Sequence, residues 1–304
     1  MAADTAEERW TPLTWSGADA IPLFGRDYRP AKAAGTPVVC LPGVTRNSRD
    51  FEALARYLSQ IAPKTRRVVA VDFRGRGRSG YAPWETYTPA TELDDVLRGL
   101  DAAGIDKAAL VGTSRGGMVA MAMAARAPER ISAVVLNDIG PRISREGLQR
   151  ISGYVGSESP VTWDDAIAEL KRTQGAAFPD LDDGEWMRLA RQIFREEDGR
   201  PIYDYDPALK EAFEAFSPDA PLPDLWPAFY ALTKIPTLVI RGAISDILST
   251  ATLEAMRQAH PRLATVLISD QGHAPLLWDR PTKERIGEFL DATDEGRWPP
   301  RLAD

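Results

Sequence analysis

The feature that most constrains this chain is an apolar run that ends in a Gly-x-Ser-x-Gly turn. Residues 109–111 read Ala-Leu-Val, residues 112–116 read Gly-Thr-Ser-Arg-Gly, and a second apolar run covers residues 118–122. This order predicts a strand, a tight turn and a helix. Ser114 would lie at the strained centre of the turn, where flanking glycines avoid Cβ clashes and the first helical N–H groups point at its hydroxyl. Taken alone, the pattern also fits an ordinary strand-to-helix turn made of small residues. The rest of the sequence has to decide whether Ser114 is catalytic.

Short apolar runs of the same kind recur along the chain. They occupy residues 37–41, 67–73, 133–138, 237–242 and 264–268. Helical spacing of apolar residues follows the earlier ones, as in residues 51–61 and 89–100. Strands that alternate with helices predict an α/β fold with a mostly parallel, doubly wound sheet. Ahead of them, residues 10–28 mix aromatic and β-branched residues with Gly and Asp, which indicates an irregular antiparallel hairpin.

The alternation stops after Asp138. From residue 139 to 231 no strand of comparable strength is predicted, and charged amphipathic segments lead into a stretch rich in Pro and aromatic residues. We therefore predict a core made of residues 1–138 and 232–304, with a helical cap at 139–231 inserted after the strand that ends near Asp138. The chain from Trp298 onward is predicted to be a loose tail.

Composition argues against several classes of protein. The net charge of −7 argues against nucleic-acid binding, because the basic run at residues 74–78 is short and isolated. Only two histidines are present, His260 and His273, and neither has the spacing of a metal site. The lone Cys40 lies in an apolar run and is predicted to be a buried, inert thiol. An acidic start and the lack of long apolar runs favour a soluble, cytoplasmic protein without membrane contact.

Three strand ends carry residues that suit nucleophilic catalysis. Ser114 follows one strand, Asp246 follows the strand at 237–242, and His273 follows the last strand. Functional groups of parallel sheets collect at the carboxyl ends of the strands, so we expect these three to lie close together. A serine hydroxyl needs a base near neutral pKa, and the resulting imidazolium needs a carboxylate. His260, at a helix end before a proline, is interpreted as structural.

In these segments the sequence resembles the α/β-hydrolase family. The similarity lies in residues 72–79, 112–116, 241–246 and 271–273. It implies a cofactor-free hydrolase with Ser114 as nucleophile, His273 as general base and acid, and Asp246 orienting the imidazole. Asp138 is the alternative acid, because some relatives carry it at that strand end. The backbone N–H groups of Val44 and Arg115 would form the oxyanion hole.

The surroundings of Arg115 raise a second question. A cation in the first turn of a helix opposes the helix dipole, so a partner is expected. Either Arg115 pairs with an acid such as Asp72 or Asp138, or it binds a substrate carboxylate together with Arg46 or Arg142.

Aromatic residues supply candidates for an apolar pocket. Trp226 and Tyr230 are predicted to contact substrate. Of all the aromatic candidates, two or three are expected to face the ligand and most are expected to hold the cap together. The other candidates are Trp163, Phe178, Trp186, Phe194, Phe213, Phe216 and Phe229.

The resemblance implies hydrolysis of a small or medium carboxylic ester through an acyl-enzyme. Cleavage of carbon–carbon bonds in dienoic ring-cleavage products is the alternative, as are lactonase and perhydrolase activities. A binding or receptor protein on a disabled hydrolase scaffold is a third reading, from another class. The expected partner is a small-molecule ester or related carbonyl compound, and a homodimer is compatible with the sequence.

Overall fold

An eight-stranded sheet forms the centre of the protein. The computed structural model describes residues 10–214, 222–260 and 262–297. The strands of this sheet lie in the order β1-β2-β4-β3-β5-β6-β9-β10. Strands β7 and β8 form a separate pair. The strands of the described residues are β1 Thr11–Ser16, β2 Pro22–Tyr28, β3 Val38–Leu41, β4 Val68–Asp72, β5 Ala108–Thr113, β6 Ile131–Asn137, β7 Phe194–Glu197, β8 Arg200–Tyr203, β9 Thr237–Gly242 and β10 Ala264–Ile268. From β4 to β10 the neighbours run parallel, whereas β1 and β2 form an antiparallel hairpin whose second strand pairs antiparallel with β4. The predicted mostly parallel sheet is confirmed.

Helices cover both faces of the sheet. They are α1 Glu52–Arg56, α2 Pro89–Ala102, α3 Arg115–Arg126, α4 Arg145–Ser152, α5 Trp163–Gln174, α6 Asp183–Ile193, α7 Leu209–Glu214, α8 Trp226–Ala231, α9 Thr250–Ala259 and α10 Arg280–Asp294. Alternate residues of each inner strand enter different apolar clusters; Val39 joins the cluster that contains α2 and α3, and Val38 joins the one that contains α1 and α10. This alternation explains why the inner strands read as continuous apolar runs. Among the described residues, no helix combines the length and apolar character needed to cross a bilayer.

In its described residues, the segment between β6 and β9 contributes no strand to the central sheet. It contains helices α4 to α8, as expected, but also the two-stranded hairpin β7–β8, which the sequence analysis did not predict. The turn of that hairpin is Asp198-Gly199, with φ of 50° and 77°. An Asp-Gly turn with both residues at positive φ is a common two-residue hairpin connection, so this dipeptide was the missed signal. The cap limits of 139–231 stay a prediction, and Phe216 and the predicted tail from Trp298 lie outside the described residues.

His260 gives the fold a pH dependence. It is 1% exposed, and its Nε2 lies 3.1 Å from the Leu232 carbonyl oxygen. Burial lowers the pKa of the imidazole, so protonation is easier in the unfolded chain than in the folded one. The stability that this residue contributes is therefore complete above about pH 6.5 and is lost as the pH falls below that value.

We expect the His260→Gln variant to lose stability less steeply than the wild type between pH 7.5 and 5. Urea unfolding across this range measures the difference, because every other titratable group is common to the two proteins. Equal slopes for the two proteins would show that His260 does not carry the effect.

Candidate active site

Ser114 lies in a strained turn between β5 and α3. Its backbone has φ of 49° and ψ of −111°, a conformation that is rare for residues with a side chain. A Cβ at Gly112 would lie 2.6 Å from the Gly116 backbone, and one at Gly116 would lie 2.0 Å from the Leu41 carbonyl oxygen. The two glycines therefore allow the close approach of strand and helix that holds the serine at the end of the sheet.

A chain of hydrogen bonds connects Ser114, His273 and Asp138. The Ser114 Oγ lies 2.9 Å from His273 Nε2, and His273 Nδ1 lies 2.8 Å from Asp138 Oδ2. A carboxylate only accepts, so Nδ1 carries the proton and Nε2 accepts from the serine hydroxyl. The structure thus brings together the predicted serine and histidine in the protonation pattern that a general base requires.

Asp138 is held by donors from the strand β9 and the loop that follows it. Its side chain is fully buried, and its Oδ1 accepts from the Gly242 N–H at 2.9 Å. Its Oδ2 accepts from the Ser245 hydroxyl as well as from His273. These three donors satisfy the carboxylate and fix its direction, so that one oxygen faces the imidazole.

The sequence analysis predicted that Asp246 orients the imidazole, but in the structure Asp138, and not Asp246, accepts from His273 Nδ1. The Asp246 carboxylate binds Arg150 of α4, at 2.5 Å from Nε and 3.0 Å from Nη2. Burial acts against its charged form, but Arg150 outweighs burial and lowers the pKa of Asp246. At the same junction, a Cβ at Gly147 of α4 would lie 2.5 Å from the Asp246 carbonyl oxygen, so helix and loop backbones touch. Asp246 therefore joins α4 to the loop after β9, and the alternative Asp138 takes the place beside His273.

The two predicted oxyanion donors flank Ser114. Val44 lies in the loop after β3, which is the neighbour of β5, and Arg115 is the first residue of α3. Val44 and Ser114 line the same two cavities. In the described part of the chain, the Val44 N–H makes no hydrogen bond to a backbone carbonyl. The N–H of a first helical residue likewise has no partner within the helix, so both groups suit an anionic oxygen.

The partner of Arg115 is neither of the two acids suggested by the sequence. Its Nε donates to Glu92 Oε2 at 2.6 Å, and its Nη2 donates to the Tyr87 carbonyl oxygen at 2.6 Å. Asp72 is engaged by the N–H groups of Ser48 and Arg78 instead. The ion pair with Glu92 therefore neutralises the cation at the start of α3, and the idea that Arg115 binds a substrate carboxylate is not supported.

Ser114 lies where two cavities of different character meet. The first, which we call the polar chamber, has a volume of about 90 Å³. Its polar lining, besides Ser114 and His273, includes Arg46, Asp50, Tyr154, Thr173, Gln174 and Gln192, and its apolar lining includes Phe51, Ile151, Leu170, Phe178, Ile193, Leu276 and Leu277. The second, the apolar chamber, has a volume of about 210 Å³ and includes Arg115. Its further lining includes Met118, Ile139, Ile143, Leu148, Leu209 and Phe213.

Only one of the four predicted binding residues reaches these chambers. Arg46 lines the polar chamber, where it forms a two-pronged ion pair with Asp50 at 2.8 and 2.6 Å. Arg142, Trp226 and Tyr230 line a separate depression without Ser114 or His273, so their role in substrate binding stays a prediction that the chambers do not support. Of the insertion aromatics, Phe178 and Phe213 line the chambers.

The packing of α8 explains why Trp226 and Tyr230 lie elsewhere. Phe229 of this helix is fully buried. Trp226 and Tyr230 lie against each other with ring centroids 5.5 Å apart, and Tyr230 is 54% exposed.

Comparisons with known proteins agree with the fold. A family model described as alpha/beta hydrolase fold matches residues 36–280. The 3-hydroxybutyrate-oligomer hydrolase of Cupriavidus necator is 32% identical over 253 residues, which cover 80% of this chain and 84% of that protein. The 2-(acetamidomethylene)succinate hydrolase of Mesorhizobium japonicum is 28% identical over 266 residues, covering 86% and 90%. The crystal structure of an alpha/beta hydrolase from Novosphingobium aromaticivorans aligns with a TM-score of 0.85 at 40% identity, covering 93% of this chain and 98% of that one.

Proposed function

Because the chain belongs to the α/β-hydrolase fold family, we propose that it hydrolyses carboxylic esters through an acyl-enzyme formed on Ser114. The observation that carries the proposal is the hydrogen-bonded chain in which Ser114 Oγ lies 2.9 Å from His273 Nε2 and His273 Nδ1 lies 2.8 Å from Asp138. This arrangement disfavours a binding protein on a disabled scaffold, because nucleophile, base and orienting acid all lie within hydrogen-bonding distance of one another in sequence.

The reaction proceeds in two halves. His273 Nε2 takes the proton of Ser114 as its oxygen attacks the ester carbonyl, and Asp138 stabilises the imidazolium. The N–H groups of Val44 and Arg115 bind the negative oxygen of the tetrahedral intermediate. His273 then gives the proton to the departing alkoxide, and the same groups activate water to release the acid.

The two chambers support an orientation for the ester in which each half occupies one of them. The departing oxygen must reach His273 Nε2, and His273 lines only the polar chamber of the two. The acyl chain then extends past Val44 and Arg115 into the apolar chamber. The proposed substrate therefore joins an apolar acyl group of modest length to a small polar alcohol, and oligomers of hydroxy acids, named for the relative from Cupriavidus necator, fit this description.

Carbon–carbon bond hydrolysis of dienoates is the less favoured reading. It calls for a guanidinium that binds the substrate carboxylate, whereas Arg46 and Arg115 near the nucleophile are already paired with Asp50 and Glu92. No feature of the two chambers favours lactonase or perhydrolase activity over ester hydrolysis.

Pre-steady-state hydrolysis of p-nitrophenyl butyrate tests the proposal. We expect a burst of p-nitrophenol equal to the enzyme concentration, and stoichiometric labelling of Ser114 by a fluorophosphonate, located by peptide mass spectrometry. Absence of both in folded protein, or fast turnover of a 2-hydroxy-6-oxo-dienoate with poor ester turnover, would contradict it.

Filling the apolar chamber is expected to change acyl-chain preference. In the Leu148→Trp variant, kcat/KM for p-nitrophenyl hexanoate should fall about 10- to 100-fold relative to that for the acetate, because the longer acyl chain loses its space. The leaving group is constant in this series, so the ratio reports the acyl side. Val161→Trp is the matched control, since Val161 is 62% exposed and lines neither chamber. An unchanged ratio in Leu148→Trp would place the acyl chain elsewhere.

A further inference from the structure

We propose that the buried ion cluster Arg76–Glu92–Arg115 is a positioning device that holds the two backbone donors of the oxyanion hole at a fixed separation. The inference rests on the proposed function, because it concerns the same reaction. Arg76 and Glu92 line neither chamber, and Arg115 borders the apolar one. They act through the backbone of Val44 on one side and through the start of α3 on the other.

Arg76 anchors the Val44 side. Its side chain is completely buried, and its Nε donates to the Val44 carbonyl oxygen at 2.7 Å. Its Nη1 donates to the Arg74 carbonyl oxygen at 2.6 Å. A guanidinium is rigid and planar, so these bonds fix the peptide plane that holds the Val44 carbonyl. That plane meets, at the Val44 Cα, the peptide that carries the Val44 N–H.

Glu92 joins this anchor to the α3 side. Its side chain is completely buried, and its two oxygens lie 3.1 Å from Arg76 Nη1 and 2.6 Å from Arg115 Nε. Arg115 also donates to the Tyr87 carbonyl oxygen, so its side chain is held at both ends of the guanidinium. The Arg115 N–H, the second predicted donor, therefore belongs to a residue whose side chain is linked through Glu92 to Arg76, the anchor of the first donor.

Charge makes the cluster hard to rearrange. Burial lowers the pKa of Arg76 to about 10, which leaves it protonated at neutral pH. Two guanidinium groups then share one carboxylate away from solvent, and loss of that carboxylate leaves like charges facing each other. Preorganised donors contribute to catalysis only when they stay in place as charge develops on the substrate oxygen. The cluster supplies such a constraint through its stiffness.

The Glu92→Gln variant tests the inference, because it keeps the shape and removes the charge. We expect kcat for p-nitrophenyl butyrate, normalised to active sites titrated with a fluorophosphonate, to fall about 10- to 100-fold with little change in KM. This loss is smaller than the ~100- to 1,000-fold loss on deleting an oxyanion donor outright. The inhibition constant of a trifluoromethyl ketone, which forms a tetrahedral adduct on the serine, should rise by the same factor. The acidic limb of the pH profile of kcat/KM should not move, because the histidine and its acid are untouched.

Asp95→Asn is the matched control. Asp95 lies on the same helix α2, is buried, and binds Arg74 at 2.7 and 2.9 Å in an ion pair without Val44 or Arg115. We expect this variant to lose thermal stability while keeping kcat per titrated site within about threefold, since its carboxylate binds the Arg74 side chain and forms no ion pair with Arg76 or Arg115. Equal losses of kcat in Glu92→Gln and Asp95→Asn, or unchanged ketone inhibition in Glu92→Gln, would overturn the inference.

A second variant covers the case in which Glu92→Gln does not fold. Arg115→Met removes the partly exposed end of the cluster and keeps the backbone N–H. A parallel loss of kcat and ketone affinity in this variant supports the inference, and wild-type values for both overturn it. Failure of the proposed function is distinguishable, because the wild-type protein would then show neither burst nor labelling.

Discussion

Replacement of Ser114 by alanine is expected to abolish ester hydrolysis, with kcat for p-nitrophenyl butyrate falling by about 10⁴- to 10⁶-fold. The attacking oxygen is lost, and losses of this size follow removal of the nucleophile in serine hydrolases of other folds. The chambers and the two N–H donors remain, so KM should change little and a small rate above background should persist. Steady-state kinetics with protein from a host that lacks esterase background measures the effect.

Ser157→Ala is the control for this substitution. Ser157 is exposed and lines neither chamber. It should behave like the wild type in rate and in thermal unfolding. Residual burst kinetics in Ser114→Ala would mean that another group is the nucleophile, and loss of activity in both variants would mean that the loss is not specific to Ser114.

The second large effect is a difference in kcat between variants of the two aspartates, Asp138 and Asp246. Asp138→Asn is expected to lower kcat by about 10³- to 10⁴-fold, because an amide can donate to His273 Nδ1 and so favour the wrong tautomer. Asp246→Asn should lower kcat less than about tenfold, because its carboxylate binds Arg150 and the bonds of His273 are kept. The comparison is made at constant leaving group over a full pH profile.

The two aspartate substitutions are matched in chemistry, so each serves as the control for the other. Thermal unfolding of both variants shows whether a loss of rate reflects loss of folded protein. A large loss in Asp246→Asn with a small one in Asp138→Asn would assign the acid to the loop after β9 instead.

Sequence patterns predicted the sheet well, because each inner strand is buried on both faces. Residues 38–41 and 68–72 are fully buried in the structure, and a run of that kind is visible without any knowledge of its neighbours. The turn at Ser114 was equally visible, since its two glycines are required by local backbone contacts. Features of this kind depend only on residues close in the chain.

The acid was ambiguous in the sequence because two aspartates follow neighbouring strands. In the sheet order β5-β6-β9, the ends of β6 and β9 lie side by side, and both can reach a histidine from the next loop. The choice depends on partners: Ser245 and Gly242 donate to Asp138, while Arg150, 96 residues before Asp246, binds that second carboxylate. Contacts between distant segments leave no periodic pattern, so the sequence could offer Asp138 only as an alternative.

The partner of Arg115 was missed for the same reason. Glu92 lies in α2, 23 residues before Arg115, and reads as an ordinary polar position of an amphipathic helix. Its complete burial appears only when α2 and α3 pack together. The sequence analysis predicted that Arg115, a cation at the start of a helix, needs an acidic partner, but it did not identify Glu92 as that partner.

The close packing of α4 against the loop after β9 affects how the substrate specificity of this protein can evolve. Gly147 leaves no space for a Cβ against the Asp246 backbone, and Arg150 fastens the next turn of the helix to the same loop. Leu148 and Ile151, which line the apolar chamber, therefore belong to a helix that is held by a backbone contact and an ion pair. Substitutions at these two positions can therefore change which substrates bind. The reaction chemistry is kept, because Ser114, His273 and Asp138 belong to other segments of the chain.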